Sequence, residues 1–193
     1  MQETRAWKLK EGELFFRQWL RSPKSMGSVI PSSQALARAI ASAAVFNGDD
    51  MIIELGGGTG AITQGLIDVG IPRDRIVVIE LDASMAEFLR ARLPGCRVVQ
   101  GDATRLNELL AQEGVKRVGT VVSGLPMVGM PFEFQQAIIT QGMRVLRKGG
   151  TMLQYSYSPV SPVPTGKLGI KARMMKYVFW NFPPAVVWRY EAV

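Results

Sequence analysis

From Met51 onward the chain alternates short, wholly apolar runs with stretches of helical periodicity. Met51-Ile52-Ile53-Glu54-Leu55 reads as a buried strand that ends in a glycine cluster, and the spacing predicts a helix over 61–69. The pattern then repeats as a strand over 75–80 and a helix over 84–92, a strand over 97–100 and a helix over 105–112, and a strand over 118–122 and a helix over 132–146. Gly149-Gly150 is expected to turn the chain into a fifth strand, 151–157. Strands joined by crossover helices imply a doubly wound α/β fold with a mostly parallel sheet. Pro159, Pro162 and Pro164 break the rhythm and predict a loop. Two aromatic-rich strands follow, 173–180 and 185–190, separated by Asn181-Phe182-Pro183-Pro184, so the C-terminal pair is antiparallel.

Ahead of the sheet, residues 3–21 read as an amphipathic helix stopped by Pro23, with Gly12 its weak point. Lys10, Glu13, Arg17 and Arg21 form a polar stripe, while Trp7, Leu14, Phe15, Phe16, Trp19 and Leu20 spread over a wide apolar arc. Such a face suits a helix lying in a membrane interface, and it equally suits a helix packed on the domain. A Ser/Gly/Pro loop leads to a second helix over 34–46, capped by Ser32 or Ser33. The expected organisation is one domain over 1–193, with segments 1–21 and 22–48 preceding a core over 49–193.

Composition narrows the chemistry. At 193 residues the chain suits one full-sized domain, and 47% hydrophobic residues can fill a core. There is no histidine, which excludes His-based triads, His metal ligands and an imidazole base. The single cysteine, Cys96, excludes an intrachain disulfide framework and a multi-Cys zinc site. No apolar run approaches the roughly 20 residues of a membrane span, and the N-terminus lacks a secretory h-region, so a cytoplasmic protein is expected. Twenty-three Lys and Arg against 16 Asp and Glu leave a formal charge of +7, which predicts an anionic partner: nucleic acid or an acidic membrane.

The strongest local signal is Glu54-Leu55-Gly56-Gly57-Gly58-Thr59-Gly60, a strand-to-helix turn whose glycines let a ligand approach backbone N–H groups. Glu80 ends the second strand, 24 positions after Gly56 (80 − 56), where an acid can take both hydroxyls of a ribose. Asp102 follows the third strand, within reach of an adenine amino group. Residues 51–126 resemble a class I S-adenosylmethionine-dependent methyltransferase: Glu54-x-Gly56-x-Gly58-x-Gly60 matches the family's first motif, Glu80 its ribose acid and Asp102 its adenine contact. That resemblance implies a Rossmann-like fold and S-adenosylmethionine as cofactor, released as S-adenosylhomocysteine, with no metal. The residues it implies at the cofactor are Ser28, Val29, Glu54, Gly56, Gly58, Thr59, Gly60, Glu80, Leu81, Asp102, Ala103 and Ser123.

Substrate signals lie elsewhere. Ser123-Gly124-Leu125-Pro126 follows the fourth strand, where amino-methylating members carry a substrate-facing motif. It resembles the Asn-Leu-Pro-aromatic motif of ribosomal RNA adenine dimethyltransferases only in its Leu-Pro, with Ser123 and Met127 read in place of the amide and the aromatic. That departure argues against a nucleobase target, and an rRNA adenine N6-methyltransferase remains the alternative. Segments 27–33, 121–126, 154–159, 162–164 and 180–188 resemble the soluble, PmtA-type bacterial phospholipid N-methyltransferases. The resemblance implies stepwise methylation of phosphatidylethanolamine to phosphatidylcholine, by a monomer bound peripherally at the inner face of the bacterial membrane without nucleic acid. It further implies that the N-terminal helix covers the cofactor and docks on anionic lipid (phosphatidylglycerol or cardiolipin) through Trp7, Phe15, Phe16, Arg17, Trp19 and Arg21. Tyr155, Tyr157 and Tyr177 are candidates for amine positioning by cation–π contact or for proton removal, although core or edge roles also suit them. Leu125, Pro126 and Met127 are expected at the substrate, with Lys171, Arg173 and Lys176 as candidates to pair with the lipid phosphate, although a solvated or membrane-facing surface also suits the basic cluster 167–176.

Overall fold

The computed structural model describes residues 34–192. The elements run α1 (Gln34–Ala43), β1 (Met51–Leu55), α2 (Ala61–Asp68), β2 (Ile76–Glu80), α3 (Ala83–Arg92), β3 (Arg97–Gln100), α4 (Leu106–Gln112), β4 (Val118–Ser123), α5 (Phe132–Val145), β5 (Leu146–Ser156), α6 (Thr165–Leu168), β6 (Ile170–Val178) and β7 (Ala185–Ala192). They build one seven-stranded sheet in the order β3-β2-β1-β4-β5-β7-β6. Strands β1 to β5 are parallel, and β7 runs antiparallel between β5 and β6. This is the Rossmann-like sheet that the alternating pattern predicts, with the antiparallel C-terminal strand in place.

Helices cover both faces, which is why β1 and β2 read as continuous apolar runs and not as alternating ones. On one face Leu36 and Ile40 of α1, Leu66 of α2 and Leu89 of α3 pack against Ile52, Val78, Leu153 and Val187. On the other, Leu106 and Leu110 of α4 and Ile138 and Ile139 of α5 pack against Ile53, Val121 and Tyr190. Each fully buried aliphatic side chain contributes about 1.5–3 kcal/mol relative to exposure. Helix α1 sits so close to α2 that a Cβ at Gly65 would collide with that of Ala37. It is therefore a sheet-covering helix; the loop before it, and the amphipathic stretch 1–21, lie outside the described residues.

Several boundaries differ from expectation. Helix α1 ends at Ala43 because Val45 leaves the helix to bond Thr120 through both its N–H and its carbonyl. Strand β5 starts at Leu146, so Gly149-Gly150 lies within it as a bulge, and Val118 pairs with Leu146 while Thr120 pairs with Thr151. The early start has an anchor. Asp50, fully buried at the amino ends of β1, β4 and β5, accepts bonds from Arg117 Nε at 2.6 Å and from Arg147 Nε and Nη2 at 2.8 and 2.6 Å. The Arg147 hydrogen bonds come first among the causes that hold its carboxyl well below the usual range. The proline-rich segment contains one short helix, α6. Strand β6 stops at Val178 because the turn starts there, with the Asn181 N–H donating to the Val178 carbonyl.

Candidate active site

The sheet order reverses between β1 and β4, and their carboxyl ends open a crevice there. The turn from β1 into α2 forms one wall. Gly56, Gly58 and Gly60 have φ of 78°, 52° and 77°, a left-handed backbone that only glycine adopts cheaply. A Cβ at Gly56 would lie 2.7 Å from Leu125 Cδ2, whereas one at Gly58 would stand in open space. The chain thus leaves room over Gly58, beside the first N–H groups of α2.

Two carboxyl groups lie beneath this cradle. Glu54 is 1% exposed, and Thr63 Oγ1 donates to its Oε2 at 2.5 Å. Burial pushes its pKa up to about 8, against the Thr63 hydrogen bond and with a smaller push from the Glu80 charge. Glu80 is equally buried, accepting from the Gly58 N–H and the Asp82 N–H, both at 3.1 Å. Burial raises its pKa while those backbone bonds pull it down. Glu80 therefore braces the glycine turn from below. Asp102 accepts from the Thr104 N–H at 2.8 Å and caps the turn after β3. Gly56, Ile79, Leu81, Asp102, Ala103, Leu125, Met130, Phe134 and Ile138 line one continuous cleft. An apolar slot with Asp102 at its rim, a glycine cradle and two buried carboxyl groups together fit a nucleoside that carries positive charge. Ser28 and Val29, the other two residues expected at the cofactor, lie outside the described residues.

The substrate edge is built at the end of β4. Ser123 is fully buried, and its Oγ accepts from the Leu125 N–H at 3.4 Å. Counted back from the shared Leu125-Pro126, the position of the RNA enzymes' amide is Gly124, not Ser123. The space a side chain would occupy there is filled from the neighbouring strand: a Cβ at Gly124 would collide with the Tyr155 hydroxyl. Pro126 is half-buried, and Leu125 and Met127 are buried at 7% and 1% exposure. Two side chains that the pattern did not single out hold this loop. Gln154 Nε2 donates to the Leu125 carbonyl at 3.1 Å, and Gln135 Nε2 donates to the Met127 and Met130 carbonyls at 2.8 and 2.9 Å. Their signal in the sequence is an amide at a position where the periodicity asks for an apolar residue.

The other tyrosines and the cations are placed differently. Tyr157 follows β5 and is 46% exposed. Tyr177 pairs with Val186 on the outermost strand, about 10 Å (two strand spacings) from β5, with its ring against Phe179. Lys171 and Arg173 pair with Glu191 and Arg189 in the first half of β6, level with the middle of β5 and away from the carboxyl edge. They do not join the cleft. Of the three tyrosines, Tyr155 is the one whose hydroxyl meets the Gly124-Leu125-Pro126 edge.

The sequence pattern of the Methyltransferase domain family matches residues 52–150, just over half of the chain. The chain belongs to the class I S-adenosylmethionine-dependent methyltransferases. This methyltransferase is 32% identical over 154 residues to an ornithine lipid N-methyltransferase of Singulisphaera acidiphila, covering 78% of the chain and 80% of that relative. It is 28% identical over 154 residues to a ribosomal RNA small subunit methyltransferase A of Thermotoga maritima, covering 74% of the chain but 53% of that longer protein. A TehB-like S-adenosylmethionine-dependent methyltransferase from Corynebacterium glutamicum shares the fold, with TM-score 0.58 and 15% identity over 95% of this chain and 99% of that one. The methyl donor is S-adenosylmethionine. Among the described residues no group of three acidic or Cys side chains could hold a metal, and no helix is long and apolar enough to cross a membrane.

Proposed function

We propose that this methyltransferase transfers methyl groups to the primary amine of a membrane lipid headgroup, with phosphatidylethanolamine carried stepwise to phosphatidylcholine. The observation that carries this reading is the Gly124–Tyr155 contact. An adenine methylase clamps its base between an amide and an exposed aromatic ring. Here the amide position is glycine, and the aromatic position is a methionine buried to 1% exposure, so neither clamp exists. A phenol hydroxyl stands there instead, on a rigid strand, and it suits a small flexible amine better than a planar base. Similarity to the ornithine lipid enzyme over four-fifths of its length supports a lipid amine as acceptor.

The bound cofactor supplies a sulfonium-activated methyl group. The chain's own residues then have three tasks. The glycine cradle and the carboxyl groups of Glu54 and Glu80 bind and orient, Leu81 and Ala103 keep water from the apolar slot, and the Tyr155 oxygen accepts an N–H bond from the amine. The headgroup ammonium must lose one proton before its nitrogen has a free lone pair. The Tyr155 phenol at Gly124 would hold that nitrogen and give the proton, and the second one released after transfer, a path to solvent. S-adenosylmethionine bound in the cradle would supply the methyl group and keep the C–S electron pair on its sulfur.

Purified protein with labelled cofactor should label phosphatidylethanolamine in vesicles and leave small-subunit ribosomal RNA unlabelled. Ornithine lipid vesicles form the third arm, and label there alone moves the acceptor from a phospholipid to an amino-acid lipid. Tyr155→Phe should lower kcat by about 100-fold with the cofactor Kd unchanged. Label in RNA alone would overturn the lipid reading.

A further inference from the structure

Two observations point to a membrane-facing surface within the described residues. The first is where the exposed apolar side chains lie. Ten large hydrophobic side chains are exposed among the described residues, and six of them follow strand ends at the cleft edge: Val128 after β4, Tyr157 and Val160 after β5, and Phe179, Trp180 and Phe182 between β6 and β7. Trp180 is 91% exposed, Phe182 75% and Phe179 73%. The turn that carries them is built and not merely loose. Asn181, between two of the most exposed rings, is 3% exposed and its Nδ2 donates to the Pro183 carbonyl at 2.7 Å. Tyr177 stacks against Phe179 with centroids 4.4 Å apart.

The register sets the height of this turn. Tyr155, which meets Gly124, pairs with Val187, and the β6–β7 turn opens two residues further on, beyond Ala185 and Val178. The aromatic tip therefore begins about 7 Å past the level of the substrate edge. That overhang matches the roughly 5–7 Å depth of a lipid headgroup layer.

The second observation is charge. Residues 134–190 contain eight Lys and Arg and no Asp or Glu. Lys167, Lys171, Arg173 and Lys176, which lead into the tip, are all exposed. Aromatic rings with exposed cations beside them are the composition of a surface that inserts into an acidic bilayer.

We propose that the β6–β7 turn is a membrane-insertion finger. Trp180, Phe179 and Phe182 enter the acyl boundary of an anionic bilayer, Lys176, level with Tyr155 through Val187, lies at its phosphates, and the Gly124–Tyr155 edge is held at headgroup depth. This surface rests on the lipid-amine reading for its purpose, but its existence is measured separately.

The test uses the full chain and vesicles of phosphatidylcholine mixed with phosphatidylglycerol, with no amine lipid present. Combined Phe179→Ser, Trp180→Ser and Phe182→Ser should weaken vesicle binding at least about tenfold. Cofactor affinity and methyl transfer to a short-chain, monomeric ethanolamine lipid should be unchanged, which reports an intact fold. Trp180→Glu alone should reproduce the loss. Bromine-labelled acyl chains should quench part of the tryptophan fluorescence of the wild type, and Trp180→Phe should remove that part. Wild-type vesicle affinity in the triple variant would overturn the proposal. So would self-association of the wild type, abolished in the variant, in place of vesicle binding. If vesicle binding depends on the turn but no lipid amine is methylated, the finger stands and the substrate reading falls.

Discussion

Glu54 stores the largest electrostatic penalty at the cleft, and its sign makes cofactor binding proton-linked. Its pKa is about 8 in the folded chain against an ordinary 4.5, so between those values the folded state holds a proton that the unfolded state has lost. The stabilisation from this group is complete below pH 4.5 and disappears as pH rises through about 8. A cationic ligand above the carboxyl group reverses the balance by favouring the anion. Cofactor affinity should therefore rise with pH toward about 8 and then level off, with proton release detectable by calorimetry in buffers of different ionisation enthalpy. Glu54→Gln should flatten that profile, weaken binding, and raise the Tm of the cofactor-free protein at pH 8 by about 2–4 °C. A wild-type affinity flat across this range would exclude Glu54 as the group facing the positive charge. At this scale the sequence was legible wherever chemistry is written on adjacent positions. Glu54, Glu80 and Asp102 stand at successive strand ends because the period of the pattern puts them there. Tyr155 over Gly124 was not legible, since the two lie 31 positions apart (155 − 124) and meet only through the pairing of β4 with β5. The same contact makes Gly124→Ala informative. The added methyl must displace the phenol, so methyl transfer should fall about as far as in Tyr155→Phe while cofactor affinity stays near wild type.

Elements were legible where periodicity alone decides them and misread where a long-range polar contact moves a boundary. Helices α2 to α5 and strands β1 to β4 follow the apolar pattern closely, because burial on the sheet sets their length. Strand β5 does not. Its first residues are held by Arg147 on Asp50, a contact spanning 97 positions, and that anchor draws Gly149-Gly150 into the ladder as a bulge. Asp50 joins the amino ends of three strands, since it accepts from Arg117 as well. Its folded pKa lies below the unfolded one, so this stabilisation is present above about pH 4 and lost as pH falls further. Asp50→Asn should leave two guanidinium groups without their carboxylate and lower the Tm by about 4–8 °C at neutral pH. As pH falls below about 4 toward that lowered pKa, the two proteins should melt progressively closer together. A Tm difference constant from neutral to acid pH would show that side-chain volume, and not charge, matters at this corner.

For the whole molecule, the excess of positive charge acquires a location. Overall charge is +7, yet the acid-free stretch 134–190 alone carries eight cations. The far edge of the sheet, by contrast, pairs its charges: Asp49 with Arg75, and Asp50 with Arg117 and Arg147. Lys176 and the exposed aromatics of the β6–β7 turn thus stand toward the cleft side, while Arg147, one of the eight cations, is tied to Asp50 at the amino ends of the strands. Two forces acting on one face respond differently to salt. Attraction between the cations and acidic lipid is screened within a Debye length, about 10 Å at 0.1 M and 3 Å at 1 M. Aromatic burial is not weakened by added salt. Binding to acidic vesicles should therefore fall steeply between 0.1 and 1 M salt, set by roughly 1 kcal/mol per cation at the surface. The residual binding at high salt should match that to uncharged vesicles and should vanish in the triple variant of the β6–β7 turn. Lys176→Glu should do the opposite, reducing the salt-sensitive part and sparing the remainder. The order of the losses discriminates between causes. If reversal and aromatic removal both abolish only the salt-sensitive part, the exposed rings do not enter the bilayer, and the face is an electrostatic platform alone.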